Sequence, residues 1–240
     1  LSILMSQGKL DDASKEIDTA KKQAPNSPSV RYFESQLAYQ KKDFKKAKEL
    51  VQQLLKVAPD SPQALMLAGA IELQVGTTLQ AETYLSKLLA ASPQASLARR
   101  LLVTAYLRSG QLDKAVATLQ PLLKEADSNP AIGVLAGETY LQSGDVKKAE
   151  EYFAKAARQD PKNVRTRTAL ALAHLAGGNT AGMEELQAVA DSDSSTMADM
   201  ALISVSLRRG EFDKALKAID GLEKKQPGKP TAANLRGRTL

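Results

Sequence analysis

Apolar and small residues recur along this chain at two spacings at once. Within short stretches they fall three and four residues apart, the signature of one buried helical face. Between stretches the same pattern returns 34 residues on. Ala13, Ala47, Ala81, Ala115 and Ala149 are each 34 apart, and Ala215 follows 66 later, one period of 34 plus one of 32. A short phrase of Gly, polar residues and Ala recurs with them, beginning at Gly8, Gly76, Gly110 and Gly144. A fixed period in this range predicts a stack of small equivalent units, each burying its core against its neighbours.

The unit is clearest at 130–163. Ala136, Gly137 and Tyr140 share one helical face, and Ala149, Phe153 and Ala156 share another. Gly144 lies between the two, where a left-handed residue ends a helix at little steric cost. Pro161 follows the second, where its ring and missing N–H stop propagation. Each unit is therefore predicted to be two antiparallel helices, with Gly137 and Ala149 small enough to let them approach closely. Pro25, Pro59, Pro93, Pro161 and Pro227 hold the terminating position. Pro28, Pro62, Pro130 and Pro230 open the next first helix, with Ser27, Ser61 and Asn129 placed as N-caps. The expected units are 1–27 (partial), 28–61, 62–95, 96–129, 130–163, 164–195 (degenerate), 196–229 and 230–240 (partial), about seven repeats in one array. Both ends fall within a helix of the register, so a fragment of a longer array is expected. Lys42 replaces one turn glycine, and Pro121 predicts a kink within a second helix. In 164–195 the alanine position is read as Met183, with two residues deleted before Gly210.

Composition narrows the chemistry. Of 240 residues, 43% are hydrophobic but only 4% aromatic, with no Trp, and a core of Ala and Leu suits closely packed helices. No apolar run approaches the roughly 18 residues that span a bilayer. Cysteine is absent, which removes disulfides and thiolate metal sites and leaves the redox compartment open. The single histidine, His174, falls where neighbouring units carry Tyr106 and Tyr140 and is expected to pack against the partner helix. One His and no Cys make no zinc spacing. Gly177-Gly178 reads as a helix-ending turn, not a phosphate loop. Glu150-Glu151 and Glu184-Glu185 read as solvated faces. No catalytic residue, cofactor site or metal site is predicted, and the chain is not expected to be an enzyme.

Charge changes the picture once sorted by helix. The net charge is +6. The first fourteen positions of each unit from the second onward hold ten of the eleven arginines plus Lys41, against Glu34, Glu72, Glu138 and Asp199: 11 − 4 = +7. The rest of the chain carries 22 basic and 23 acidic residues, or −1. Arginine offers a planar fork suited to carboxylate or phosphate, whereas lysine is a hydrated point charge suited to solubility. Lysines interleaved with acids argue against nucleic acid.

The phrases Ala136-Gly137-x2-Tyr140, Ala149-x3-Phe153 and Pro161 resemble the tetratricopeptide repeat, W-x2-L-G-x2-Y, A-x3-F and P. The Trp position is never Trp, holding Arg31, Leu65, Arg99, Gly133, Arg167 and Asp199. The resemblance implies an all-α, right-handed superhelical solenoid of antiparallel helix pairs, with first helices lining a concave groove. By the family pattern the groove-facing positions are the second, fifth, ninth, twelfth and thirteenth. On this chain they give as candidate ligand contacts Tyr32, Gln36, Tyr39, Arg100, Thr104, Arg108, Glu138, Gln142, Arg165, Arg208, Asn234 and Arg238, together with Met66, Gln74, Met200 and Ser204. Leu73, Leu107, Leu141, Leu175 and Leu207 recur at the twelfth position, as a groove floor or as a seal between units. Arg31, Arg99 and Arg167 are expected to pack over the missing Trp. Three readings stay open at this point: an anion-binding groove, a neutral peptide groove, and no groove ligand.

The segments Leu97–Gln111 and Met200–Ala215, with Glu223-Lys224-Lys225-Gln226-Pro227, are similar to the repeat lipoproteins of the bacterial PEP-CTERM/exosortase system. That resemblance implies an exported, non-catalytic protein-interaction scaffold of an exopolysaccharide and protein-sorting system, on the periplasmic side of the envelope, with a lipid anchor outside this segment. The alternatives are direct binding of anionic polysaccharide through Arg100, Arg108, Arg165 and Arg208, and a cytoplasmic receptor for acidic peptide tails. Expected partners are a protein or peptide or an anionic polysaccharide, with no cofactor, no nucleic acid and no membrane span.

Overall fold

A computed structural model describes residues 1–239. Among these every regular element is helical. The chain divides into two compact units, Leu1–Gln120 and Pro121–Leu240. The first holds α1 (Ser2–Ser6), α2 (Leu10–Gln23), α3 (Pro28–Gln40), α4 (Phe44–Val57), α5 (Pro62–Val75), α6 (Thr78–Ala91), α7 (Ser96–Arg108) and α8 (Leu112–Leu119). The second holds α9 (Pro130–Gln142), α10 (Val146–Gln159), α11 (Val164–Ala176), α12 (Ala181–Ser192), α13 (Met197–Arg208), α14 (Phe212–Lys225) and α15 (Pro230–Thr239). Helices pack in consecutive pairs, α3 on α4, α5 on α6, α9 on α10 and so on, and each pair packs on the next within its unit.

Helix starts follow local chemistry. Pro28, Pro62, Pro130 and Pro230 are each the first residue of their helix, where a missing N–H costs nothing. Ser61 and Asn129 cap α5 and α9 by accepting the amides of Ala64 and Ala131. Ser27 occupies the N-cap of α3, but its hydroxyl makes no capping bond. Second helices are capped by Asp43 and Asp145, which accept the amides of Lys46 and Lys148.

The turn inside each pair needs one left-handed residue. At Gly144 (φ +87°) the turn closes with the Asp145 amide on the Tyr140 carbonyl at 2.9 Å. Lys42 adopts the same conformation at φ 62°, and the Asp43 amide reaches the Ala38 carbonyl at 2.9 Å. It is the one non-glycine residue at positive φ among the described residues. Two turn bonds hold it there against a left-handed cost of roughly 1–2 kcal/mol. Pro121 does more than kink its helix: α8 ends at Leu119 and the chain winds as a 3-10 helix over Gln120–Glu125. Proline donates no bond to the preceding turn and its ring crowds the carbonyl four residues back.

Close approach sets the core. Gly137 lies against the Phe153 ring, where a Cβ would fall 2.6 Å from ring carbons. Gly69 stands in the same relation to Leu85, at 2.5 Å from Cγ. Ala13, Ala47, Ala81, Ala115, Ala149 and Ala215 are all fully buried.

The degenerate pair α11 and α12 corrects the sequence register. Gly182, not Met183, occupies the buried alanine position. A Cβ on Gly182 would lie 2.5 Å from the Ala171 carbonyl oxygen and 2.7 Å from Leu175 Cγ. Leu186 then takes the place of Phe153 and Val189 that of Ala156, and both are buried. Each is 33 residues on, and 33 more reach Ala215, Ile219 and Leu222. The two missing residues are therefore split. One is lost from the turn between Gly178 and Gly182, the other between Val189 and Ala198. The shortened turn brings α12 onto the α11 backbone, and only glycine fits the contact.

Candidate functional site

In the first unit, α3, α5 and α7, with Leu88 and Ser92 at the end of α6, frame a cleft of about 500 Å³. Tyr32, Gln36 and Tyr39 enter it from α3, Gln63 and Met66 from α5, and Leu97 and Leu101 from α7. Gln40 and Ala70 complete the same faces. No Asp, Glu, Lys or Arg lines it. The two tyrosines are held by aromatic neighbours, Tyr32 edge-on to Phe33 at 5.4 Å and Tyr39 edge-on to Phe44 at 5.7 Å. Burial pushes the Tyr32 hydroxyl above its ordinary pKa, so it stays a neutral donor and acceptor at the cleft wall. Among the described residues, the amides of Gln36 and Gln40 have no hydrogen-bond partner.

Tyr32, Gln36, Tyr39 and Met66 are thus brought together. Gln40, Gln63, Leu97 and Leu101 were missed by the sequence reading. Three of them carry the same signal as the rest, since Gln63 and Leu97 stand second, and Gln40 thirteenth, in their repeats. The apolar lining of the cleft includes Met66, Leu67, Leu97 and Leu101. The twelfth-position leucines seal the stack instead: Leu73 is buried, and Leu175 and Leu207 pack into the core cluster around Leu186, Ile203 and Ile219.

The other candidates divide by partner. Arg100 takes in α7 the place that Tyr32 and Met66 hold in α3 and α5, each 34 residues on. It is half-buried, and its guanidinium has no hydrogen-bond or ion-pair partner among the described residues. Thr104 is tied to its own helix, its hydroxyl donating to the Arg100 carbonyl at 3.0 Å. Arg108 donates from Nη1 to the Leu73 carbonyl at 2.5 Å, satisfying a free acceptor in the last turn of α5. In the second unit, Arg165 on α11 and Glu138 on α9 pair with each other at 2.7 Å. Gln142, Arg208, Asn234 and Arg238 are exposed.

The fourth-position arginines reach polar groups just before their own helix or at the end of its partner. Arg31 donates to Asn26 Oδ1 at 3.2 Å, Arg99 to the Pro93 carbonyl at 2.6 Å and Arg167 to Ser192 Oγ at 3.4 Å. At Asp199 the missing Trp is answered by a buried ion pair. Lys225 lies 2.7 Å from the Asp199 carboxylate and donates also to the carbonyls of Ala190 and Ser195. His174 reaches α12, with Nδ1 2.7 Å from Glu185 Oε2. Among the described residues no three His, Asp or Glu side chains gather as a metal cluster, and no helix is long and apolar enough to cross a membrane.

The family model described as Tetratricopeptide repeat matches residues 4–71, 72–136 and 140–202. Among solved structures, a tetratricopeptide repeat protein of Parabacteroides merdae is similar at 14% identity and TM-score 0.78, over 99% of this chain and 95% of that one. The Cut9–Hcn1 hetero-tetramer of the APC/C is similar at 15% identity and TM-score 0.75, over 99% of this chain and 47% of that one. YrrB, described as a tetratricopeptide repeat protein with an unusual peptide-binding site, is similar at 15% identity and TM-score 0.57, over 93% of this chain and 98% of that one. At these identities the likeness is one of fold. None of the curated proteins compared with the chain matches it.

Proposed function

The chain belongs to the tetratricopeptide-repeat family, and from that premise we propose that it is a non-catalytic protein-interaction scaffold that binds an extended peptide segment in the cleft of its first unit. Proteins of this family generally act as such scaffolds. The observation that carries the reading is the uncharged cleft lined by equivalent positions of successive first helices. Rigid stacked helices hold Tyr32, Tyr39 and Met66 in place before a ligand arrives, so the ligand alone loses most of the ordering entropy. The peptide-binding site named for YrrB accords with this reading.

Capture of anionic polysaccharide has less support. Of the four arginines it needs, Arg108 is engaged by Leu73 and Arg165 by Glu138. The setting in a bacterial envelope system for exopolysaccharide or sorted proteins rests on the similarity of Leu97–Gln111 and Met200–Ala215 to PEP-CTERM-associated repeat lipoproteins. Fractionation of cells making the full-length protein tests it, and recovery in the cytosol counts against it.

The cleft is tested with a peptide selected on the protein from a displayed library of random linear decamers. Met66→Glu places an unpaired charge in the cleft and is expected to weaken that peptide at least tenfold. Arg208→Glu, on the second unit, is expected to leave it unchanged. Equal binding by both folded variants removes the cleft from the interaction.

A further inference from the structure

Arg100 is the charged group that the repeat register puts in line with Tyr32 and Met66 of the cleft. It continues the series Tyr32, Met66, Arg100 on three successive first helices, and Leu97 and Leu101, which flank it on α7, line the cleft wall. An arginine with no internal partner beside an uncharged, half-enclosed apolar surface is a donor fork awaiting an acceptor, and the planar guanidinium matches a carboxylate. Gln36, Gln40 and Gln63 rim the same cleft. Each amide offers both a donor and an acceptor, which suits peptide main chain and discriminates little between side chains.

We propose that the ligand segment carries one bulky apolar side chain, seated between Tyr39 and Met66, and a carboxylate about three residues away that pairs with Arg100. This rests on the cleft being the peptide site and goes beyond it by fixing composition and spacing. The spacing follows from packing. Helices α5 and α7 touch, which puts their axes roughly 8–10 Å apart, and an extended chain advances about 3.3 Å per residue. A carboxylate adjacent to the anchor falls short of Arg100, and one six residues away overshoots it. The one unpartnered cation beside the cleft also sets the charge of the ligand. One acidic group is recognised, whereas a strongly acidic tail would leave its remaining carboxylates facing tyrosine, methionine and leucine.

The test is selection of random linear decamers, displayed on phage, against the wild type, Arg100→Gln and Met66→Glu proteins. Melting curves first establish that all three are folded. On the wild type the expected consensus is an aromatic or large aliphatic residue with Asp or Glu about three positions away. On Arg100→Gln the apolar residue remains and the acid disappears. A synthetic consensus peptide weakens about tenfold on Arg100→Gln and on replacing its acid by Asn or Gln, and loses affinity at raised salt only in the acidic form. A wild-type consensus lacking the acid, or unchanged on Arg100→Gln, overturns the inference while leaving the cleft as the peptide site. Failure of the wild type to enrich any sequence removes both.

Discussion

Several of the same repeat positions are used in opposite ways in the two units. In the first, the faces of α3, α5 and α7 present two tyrosines, three glutamine amides and a methionine around an open cleft, with Arg100 unpaired beside it. In the second, those positions meet partners inside the protein or stand alone on the surface. Glu138 is bound to Arg165, Leu175 and Leu207 are drawn into the core, and Arg208 and Arg238 are exposed. A groove position therefore does not make a groove site. What matters is whether adjacent repeats supply side chains that leave one another free.

The contrast is broken most forcefully at Asp199. Replacing it with Ala leaves Lys225 largely buried without its carboxylate, at an expected loss of about 3–5 kcal/mol in urea unfolding. The paired change Asp199→Leu with Lys225→Met should recover most of this. By comparison Glu138→Ala, which removes an exposed pair, should stay within about 1 kcal/mol. Equal losses at the two sites would mean that burial does not distinguish them.

A smaller effect is expected at Gly182. Ala there gains up to about 1 kcal/mol of helix propensity, yet its Cβ meets the backbone oxygen of Ala171, which cannot swing aside. A net loss of about 1–3 kcal/mol is expected from this overpacking. Met183→Ala, at the position suggested by the period alone, should leave the close contact between α11 and α12 intact, and a larger loss there than at Gly182 would restore the sequence register. The smallest effect belongs to the first unit. Lys42→Gly relieves the left-handed turn and should raise stability by about 1 kcal/mol, with no change in the affinity of a peptide bound in the cleft. Lost affinity would tie the cleft to the turn beside Tyr39.

Much of this protein is legible in its sequence because a repeat states its own rules several times over. The helix pairs, the proline starts and the glycine turns follow from spacing and backbone sterics. Tyr32, Gln36, Tyr39 and Met66 lay among the groove-facing candidates that the family pattern gives along the whole array, and the packing of first helices gathers these four around one cleft. The register of α12 was not, because a period locates a position only while the loop lengths hold. The true position shows itself in the contact of Gly182 with Ala171.

By itself, the sequence determined the period, the two-helix unit, the small residues of the regular repeats, and the concentration of arginine on first helices. Only the tertiary structure decided which arginines are occupied. Arg108 finds a carbonyl 35 residues back, and Arg165 a carboxylate 27 residues back. These partners are set by how one helix pair packs on the next and by the reach of a long flexible side chain. Backbone conformation is a local property that a residue's neighbours in sequence can impose. The pairing of a surface charge depends on everything within its reach, and only packing brings those groups together.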